Sequence, residues 1–487
     1  MLSRQLLFRI LLVFIPFLSQ AQPCREVSAY FPSWKWYSRG QLVNPATIHY
    51  ENYSTIIYAF FQPNWDGSIL PFDPWADKTL LLGEIAPDIP RSYGKRRDFG
   101  NPYWHDDQNS LVKRAHDKGV KVVISVGGWT MSDQFSGIAA NAEKRRRFAQ
   151  SCNDMIRIYG IDGIDIDWEY PGFVTNGGSP SDKYNFTYLL QTIRDSLDAL
   201  EFQVGRHLSL TAAFGVAPTR MAEIEWAKVT QLLDHINLMT YDFYGNGFAT
   251  TNHNAPLYSP EKGLSGFDTH SAVHHLMEQY GVPSWKINIG LAFYGRSLKT
   301  KGAAGLHVSS RQTPDARTFP EDSGTPMYYN ILARQDLFQY HWDSLAQAPY
   351  LKGKGLNTFV TYEDERSIAQ KANYIIEQNL AGAIIWDITG DCVESQHHPG
   401  RIERTPLADA LLVALCQEDT YLANLESARR NQPELLPPTN FFVTRNAFAP
   451  RIAHEAQLSK KEKRKLKRKQ KKLAKMGQRA VYFDTGW

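Results

Sequence analysis

The sequence predicts an α/β protein, a (β/α)8 TIM barrel with a small α+β insertion between its seventh and eighth strands. Eight apolar runs rich in β-branched residues follow one another along the 487 residues, and a helical pattern follows most of them. Strands that alternate with helices form βα units and a parallel sheet, which eight units close most simply into a barrel. Polar motifs come at the ends of these runs, where barrel enzymes carry their active sites because the βα loops vary without disturbing the packed interior.

The strands are predicted from short runs, several of which end in aromatic residues. The eight predicted strands are Val27–Phe31, Ser54–Phe61, Val120–Trp129, the run within 161–172, His207–Phe214, Asp234–Asp242, Lys286–Tyr294 and Gly382–Asp387. Helical patterns cover Ser110–Lys118, Glu143–Tyr159, Tyr184–Phe202 and Pro406–Cys416. The three consecutive arginines at 145–147 are interpreted as a solvated helix face and not as a nucleic-acid patch.

Two long segments do not fit a simple connection between strand and helix. Gln62–Trp104 lacks a clear period and carries several aromatic residues, which predicts a long loop of the kind that is functional or disordered. Residues 301–364 are too many for one connection and mix glycine and proline turns with aromatic runs. They predict the small α+β insertion.

The fourth run places three carboxylates on one face of a strand. Ile164, Ile166 and Trp168 alternate with Asp165, Asp167 and Glu169. Side chains alternate across a strand, so the three acids lie in a row with neighbours roughly 7 Å apart. Ionised groups in a partly buried row repel one another, so at least one acid holds a proton near neutral pH. A solvated strand face and a calcium loop are less favoured, because apolar residues flank the acids and intervene between them.

These acids resemble a family signature. Asp162-x-x-Asp165-x-Asp167-x-Glu169 is similar to the D-x-x-D-x-D-x-E motif of family 18 glycoside hydrolases, the chitinase family. Further matches come at later and earlier strand ends: Ser125-x-Gly127-Gly128, Met239-x-Tyr241-Asp242, Phe293-Tyr294-Gly295-Arg296 and Trp386. One departure is Ala292, which stands where many members have proline. The resemblance covers roughly Val27 to Cys416 and implies the exo-leaning bacterial-type subfamily, whose insertion forms one wall of a deep cleft.

The resemblance implies a role for each acid in hydrolysis of β-1,4-linked N-acetylglucosamine. Glu169 would protonate the glycosidic oxygen, Asp167 would hold the acetamido N–H, and Asp165 would share a proton with Asp167. Tyr241 would bind the acetamido carbonyl, which attacks the anomeric carbon in a substrate-assisted, retaining reaction. The like charges of the row would raise the affinity of Glu169 for its proton before cleavage.

The remaining site residues are expected to bind the sugars. The resemblance implies that Asp242 and Arg296 bind hydroxyls, that Met239 and Tyr170 shape the pocket, and that Trp386 lies beneath the cleaved sugar. Four further aromatic residues at strand ends, Trp129, Trp36, Tyr30 and Phe60, are candidate subsites. For these four, sugar binding and core packing both stay open, since aromatic residues at strand ends are common in cores.

The two ends of the chain differ from the barrel. Residues 1–21 predict a secretory signal, with basic Arg4 and Arg9, the apolar run Ile10–Leu18 and small residues before Ala21. The protein is therefore expected to be secreted, periplasmic or on the cell surface. The predicted organisation is a barrel at 22–300 and 365–418, interrupted by the insertion at 301–364 and followed by a linker and lysine-rich tail at 419–487.

The charge of the tail and the spacing of the cysteines bear on possible partners and metal sites. The tail carries a local charge of +11 between Ser459 and Arg479, against +4 for the whole chain, so the rest carries −7. Such a block is usually a solvated tail, and contact with an anionic surface is the alternative. The four cysteines, Cys24, Cys152, Cys392 and Cys416, have no metal-type spacing, and a Cys392–Cys416 disulfide or free thiols both stay open. We expect no cofactor, no metal and no nucleic-acid partner, and we expect the protein to be a monomer.

Two classes of function fit these residues. One is a chitinase acting on chitin or chitooligosaccharides, and the other is a chitin-binding lectin on the same barrel. Inactive members of the family typically lose the terminal acid, and Glu169 is present with both aspartates, which favours the enzyme. Endo-acting enzymes for N-glycan cores or peptidoglycan-type glycans are the alternative within hydrolases.

Overall fold

Eight parallel strands close into a barrel in the computed structural model, which describes residues 25–85, 104–105 and 109–417. The strands are β1 (Glu26–Pro32), β2 (Thr55–Pro63), β3 (Lys121–Gly127), β4 (Gly163–Asp167), β5 (Ser209–Phe214), β6 (His235–Leu238), β7 (Ile287–Ala292) and β8 (Gly382–Trp386). Each strand pairs in parallel with the next, and β8 pairs with β1. The predicted TIM barrel is confirmed.

Helices surround this sheet. The main ones are α1 (Pro74–Leu82), α2 (Leu111–Asp117), α3 (Ala142–Tyr159), α4 (Asp182–Val204), α5 (Trp226–Leu232), α6 (Thr269–His274), α7 (Glu365–Glu377) and α8 (Pro406–Leu415). Shorter helical turns cover Ser33–Tyr37, Arg39–Gln41, Tyr50–Asn52, Phe135–Ala139, Val174–Asn176, Pro218–Met221, His275–Gln279, Ser284–Lys286, Glu321–Gly324, Tyr328–Leu332 and Gln335–Leu337. The largest apolar cluster lies between the sheet and these helices.

The alternation in β4 divides its side chains between two environments. Ile164, Ile166 and Trp168 are buried in the outer apolar layer, where the Trp168 ring stacks on Phe135 with centroids 5.3 Å apart. The acids on the opposite face therefore point into the barrel. Burying the outer face fixes the register of the strand, and a slip of one residue would exchange the acids with the isoleucines.

The segment 62–104 contains more structure than the sequence predicted. Helix α1 begins there at Pro74, and the side chain of Asp73 accepts hydrogen bonds from two backbone N–H groups of its first turn. The helix ends at Gly83, which has a left-handed conformation. Proline at the first position, an aspartate cap before it and a glycine after the end are helix boundary signals that a search for periodicity does not detect. Residues 86–103 lie outside the described residues.

A separate antiparallel sheet lies between β7 and β8. Its four strands run in the order Arg296–Lys299, Thr358–Thr361, Ala348–Gly353 and Phe338–Asp343, with the helix Tyr328–Leu332 beside them. Residues 296–361 are called the insertion below. Its first strand begins five residues before residue 301, because the chain leaves the barrel directly into the pairing with Thr358–Thr361. Further short strands are Ile69–Pro71, Glu84–Ile85, Trp104–His105, Val393–Glu394 and Ile402–Arg404.

The cysteines that the structure describes are free thiols. Cys152 and Cys392 are buried and Cys416 is exposed, so the Cys392–Cys416 disulfide is not formed, since the Cys392 thiol instead donates to the carbonyl oxygen of Ile388. Cys24, the signal at 1–21 and the basic tail lie outside the described residues. Among residues 25–85, 104–105 and 109–417, none of the helices is long and apolar enough to cross a membrane.

Candidate active site

Asp165 lies deepest in the barrel and accepts four hydrogen bonds. The hydroxyls of Tyr30 and Ser125 donate to its Oδ2 at 2.9 and 2.7 Å, and Thr211 and Asn237 donate to its Oδ1 at 2.6 and 3.3 Å. Burial raises the pKa of Asp165, and the hydrogen bonds oppose that shift. Four donors from four strands hold this carboxylate in one orientation and favour its ionised form.

Asp167 is the next acid along the strand and lacks such support. Its Oδ1 is buried and has no hydrogen-bond partner among the described residues. Burial, the charge of Glu169 and then the charge of Asp165 raise its pKa well above the usual value. A buried carboxyl between two others, without donors on one oxygen, favours the protonated form.

Glu169 lies just beyond the end of β4 and is half-buried. Its backbone N–H donates to the hydroxyl of Ser132 at 2.9 Å, and its carbonyl oxygen accepts from the amide of Asn176 at 2.8 Å. Burial raises the pKa of its carboxyl to about 7, a hydrogen bond from Tyr170 lowers it, and the charge of Asp242 raises it. A side-chain acid with this pKa can donate a proton near neutral pH.

Two glycines make room for these groups. A Cβ on Gly127, at the end of β3, would lie 2.2 Å from the carbonyl oxygen of Asp167. A Cβ on Gly290, in β7, would lie 2.6 Å from Cε1 of Tyr241. Distances under 3 Å exclude any larger residue at either position unless the backbone moves. The small residues at the end of the third strand therefore admit the acid row, and Gly290 admits the tyrosine.

Tyr241 and Asp242 follow β6 and lie close enough to the acids for their charges to act on Tyr241. The Tyr241 ring lies 6.2 Å from that of Tyr294, and burial, followed by the charges of Asp167 and Asp242, raises its pKa well above the usual value. Its hydroxyl therefore stays protonated and able to donate. The guanidinium of Arg296 and the hydroxyl of Tyr294 both bind Oδ1 of Asp242, at 2.7 Å each.

Trp386, at the end of β8, forms the centre of an aromatic cluster. Its ring lies 5.3 Å from Tyr30 and is stacked on Phe60 at 5.8 Å. Met239 packs against the same cluster. Tyr30 and Phe60 are only 2% and 6% exposed, so both lie in the core beneath the site, and Tyr30 supports Asp165 through its hydroxyl.

The other two aromatic candidates differ in exposure. Trp129 is 38% exposed, and its ring lies 6.4 Å from Tyr170, which keeps it at the rim of the acid row. Trp36 is 7% exposed and packs between Tyr37 and Trp75 in the outer core. The structure favours core packing for Trp36 and leaves Trp129 available to a ligand.

Several residues of the site are not predicted by any pattern described above. Trp34 is half-buried with its ring stacked on Phe60 at 5.9 Å and 6.3 Å from Trp386. Thr211 and Asn237 support Asp165, and Ser132 joins the ends of two strands by donating to the carbonyl oxygens of Gly128 and Asp167 at 2.8 and 3.2 Å. A polar residue inside an apolar strand was the signal for Asn237. Ser132 lies in a loop, where no pattern marks it.

The first aspartate of the motif, Asp162, lies at the opposite end of the strand from Glu169. Its carboxylate accepts from the backbone N–H of Val122 at 2.8 Å and pairs with Arg206 at 2.5 Å. It ties strand ends together below the barrel and takes no part in the site. Within the described ranges, no group of three histidine, cysteine, aspartate or glutamate side chains could hold a metal ion.

The arrangement provides one proton donor beside two buried aspartates, with a tyrosine hydroxyl nearby and an aromatic floor. Cleavage of a glycosidic bond requires an acid for the leaving oxygen and a stabiliser for the developing positive charge. Glu169 can supply the first. Asp167 and Tyr241 are placed to orient a polar group of the substrate between them.

Comparisons with known proteins agree with this geometry. The model of "Glycosyl hydrolases family 18" matches residues 26–391. The chain is 32% identical to chitinase A1 of Niallia circulans, covering 77% of this chain but 58% of that protein, and 30% identical to endochitinase 1 of Metarhizium robertsii, covering 75% and 81%. The chain thus spans just over half of the first relative's length.

Solved structures show the same fold. The chitinase ChiA74 from Bacillus thuringiensis superposes with a TM-score of 0.68 at 30% identity, covering 80% of this chain and 70% of that one. A family 18 N-acetylglucosaminidase from Paenibacillus barengoltzii superposes with a TM-score of 0.62 at 29% identity, covering 80% and 99%. With the acid row at the end of β4 and the family model matching most of the chain, this protein belongs to glycosyl hydrolase family 18.

Proposed function

We propose that this protein is a chitinase that hydrolyses β-1,4 linkages of N-acetylglucosamine polymers, with Glu169 as the general acid and base. The observation that carries the proposal is the complete acid row, in which a half-buried Glu169 has a pKa of about 7 beside the buried Asp167. The names of the relatives support it, since they are chitinases and endochitinases.

The proposed mechanism is retaining and uses the substrate's own acetamido group as the nucleophile. Asp167 would turn toward that group and accept its N–H. As the proton it shares passes to Asp165, the negative charge of Asp167 would steady the positive charge of the oxazolinium ion. The Tyr241 hydroxyl would donate to the acetamido carbonyl and aim its oxygen at the anomeric carbon. Glu169 would protonate the leaving oxygen and then deprotonate the water that opens the ring.

Sugar binding is assigned to the residues around this row. Trp386 would stack on the apolar face of the cleaved sugar, with Met239 and Tyr170 shaping the pocket around it. Asp242 and Arg296 would bind hydroxyls, because their ion pair is half-exposed and still offers donors and acceptors. Trp129 would extend the binding surface at the rim.

A lectin on the same barrel is the alternative from another class. Binding alone gives no reason for a glutamate with a pKa of about 7 next to a buried aspartate whose pKa is also raised, because such an arrangement costs stability and adds no contact area. Endo-acting hydrolysis of N-glycan or peptidoglycan-type glycans remains the alternative substrate class. One related structure is a chitinase with a penta-N-acetyl chitooligosaccharide, which favours a linear chitin chain for this protein too.

Four further proposals concern the protein as a whole. It is secreted, periplasmic or on the cell surface, it acts as a monomer, it belongs to the exo-leaning subfamily, and its basic tail forms a solvated segment or contacts an anionic surface. These proposals rest on the amino-acid sequence and the resemblance.

The experiment is a product profile on chitohexaose, run for the wild-type protein and Glu169→Gln. The wild type should release short acetylated products. The variant should bind the hexamer but turn over about 100 to 10,000 times more slowly, the usual contribution of a general acid. Binding without turnover by the wild type would establish the lectin instead, and wild-type turnover by the variant would remove Glu169 from its role.

A further inference from the structure

Two contacts join the loop after β1 to the insertion above β8. Lys35 forms an ion pair with Asp322, and the guanidinium of Arg39 lies over the ring of Tyr329 at 3.9 Å from its centroid. The Arg39 guanidinium also donates to the carbonyl oxygen of Cys392 at 2.7 Å. These four side chains, Lys35, Arg39, Asp322 and Tyr329, are called the bridge below.

The bridge lies next to the proposed sugar site. Tyr329 packs against the same apolar cluster as Trp386 and Tyr241. Thr325, whose N–H donates to the Asp322 carbonyl oxygen at 3.1 Å, accepts from Arg296 at 3.5 Å. The bridge is therefore linked to Trp386 and Tyr241 through a shared apolar cluster, and to Arg296 through Thr325.

The ion pair of the bridge is fixed by its surroundings. The Lys35 side chain is only 14% exposed, while that of Asp322 is 45% exposed. Burial lowers the pKa of Lys35, but the carboxylates of Asp322 and Asp387 outweigh that effect, so the ammonium stays charged. Asp387 is fully buried and follows Trp386 directly. Lys35 thus pairs with a carboxylate of the insertion and also lies in the field of the carboxylate at the end of β8.

The bridge lies on the side of the barrel away from the acids. The catalytic acids lie on β4, and β8 and β1 lie on the far side of the closed sheet. A sugar chain that extends from Glu169 over Trp386 would therefore meet the loop after β1 and the insertion, which Lys35 and Asp322 join.

We propose that the bridge ends the cleft on the Trp386 side, so that only a short run of sugars fits there and short products are released from a chain end. Lys35 and Asp322 are the residues that determine product length, because their ion pair joins the loop after β1 to the insertion. This inference rests on the proposed hydrolase function and concerns the length of its products.

The test compares the first products of chitohexaose for the wild type, Asp322→Asn and Lys35→Met. Opening the bridge should raise the ratio of longer to shorter first products by about threefold, the scale expected of a partly exposed ion pair. The rate at which the variants lower the viscosity of a soluble acetylated chitin derivative should rise as well, since cuts inside the chain become accessible.

Two controls separate the bridge from general damage. Glu321→Gln removes an ion pair to Arg334 that stays within the insertion, at 2.5 Å, and should leave product lengths unchanged. The double variant Lys35→Glu with Asp322→Lys reverses the pair and should return the ratio toward the wild type. If the wild type is active and both Asp322→Asn and Lys35→Met release products of the same lengths as the wild type, the inference is overturned. A wild type without hydrolytic activity would overturn the proposed function instead.

Discussion

Glu169 sets the pH range in which the proposed enzyme works, because the residue must be protonated before it can donate. Its pKa is raised to about 7, so the protonated fraction falls as pH rises through that value. Activity, measured as kcat/KM against pH with an acetylated oligosaccharide, should therefore decline above about pH 7. A profile that stays flat to well above pH 8 would contradict the assignment of the acid.

Two neighbours of Glu169 allow that assignment to be tested by opposite shifts. Tyr170 lowers the pKa of Glu169 by hydrogen bonding, so Tyr170→Phe should move the alkaline limb of the kcat/KM profile to higher pH. Asp242 raises that pKa through its charge, so Asp242→Asn should move the limb to lower pH. Both variants are expected to lose activity at the optimum, but the limb position is independent of that loss. Shifts in the same direction would show that another group titrates.

The roles at this scale could be predicted only in part. The alternation of acids and apolar residues placed Asp165, Asp167 and Glu169 on one face, and the structure has both aspartates of β4 facing into the barrel. The division of labour between the aspartates depends on donors from distant strands, such as Thr211 and Asn237, which no local pattern in β4 reports. For Tyr30, the sequence left both sugar binding and core packing open, because the burial of an aromatic residue depends on how the whole barrel packs.

At the scale of elements, glycines determine whether the strand ends fit together. Gly290→Ala should displace the Tyr241 ring, since the added Cβ would lie 2.6 Å from Cε1 and 2.8 Å from the carbonyl oxygen of Leu238. We expect kcat to fall more than tenfold and the protein to lose about 1 to 3 kcal/mol of stability, as overpacked cores do. Steady-state kinetics with thermal unfolding checks this. Gly302→Ala is the control for the change of glycine to alanine alone, because its φ is not left-handed and an added Cβ there meets no atom within 4 Å.

The final helix depends on a carboxylate from another element. Oδ2 of Asp391 accepts from the backbone N–H groups of Leu407 and Ala408 at 2.9 Å each, at the start of α8. Asp391→Ala should destabilise the protein by about 0.5 to 2 kcal/mol, the usual cost of losing a helix cap. Denaturant unfolding measures the change, and Asp391→Asn, which keeps an acceptor, should lose less. Equal losses in the two variants would mean that the cap is not the cause.

The boundaries of helices and strands are predictable where a local apolar pattern sets them and not where pairing with a distant strand sets them. The strands with strong apolar periodicity were found within a few residues of their observed ends. Helix α1 was missed because its signals are the capping residues Asp73 and Gly83, which a search for periodicity does not use. The insertion begins at Arg296, earlier than residue 301. Its first strand is defined by pairing with Thr358–Thr361 at the other end of the insertion, and no local pattern reports that pairing.

At the scale of the whole molecule, the barrel and the first strand of the insertion carry every residue assigned to the proposed site, between residues 30 and 386. Deletion of residues 419–487 should therefore leave kcat/KM for soluble chitooligosaccharides within about twofold, because the tail charge of +11 acts on a neutral substrate only weakly. The same deletion should reduce binding to anionic vesicles if the tail contacts such surfaces. A loss of hydrolysis on soluble oligosaccharides would show that the tail contributes to the site.

The central claim is that the substrate's acetamido group, held by Asp167 and Tyr241, attacks the anomeric carbon while Glu169 protonates the leaving oxygen. Time-resolved proton NMR of fresh product from chitohexaose tests it most directly, since the two displacements of this mechanism return the original configuration. The first product should be the β anomer, which then mutarotates. A first product in the α configuration would contradict it.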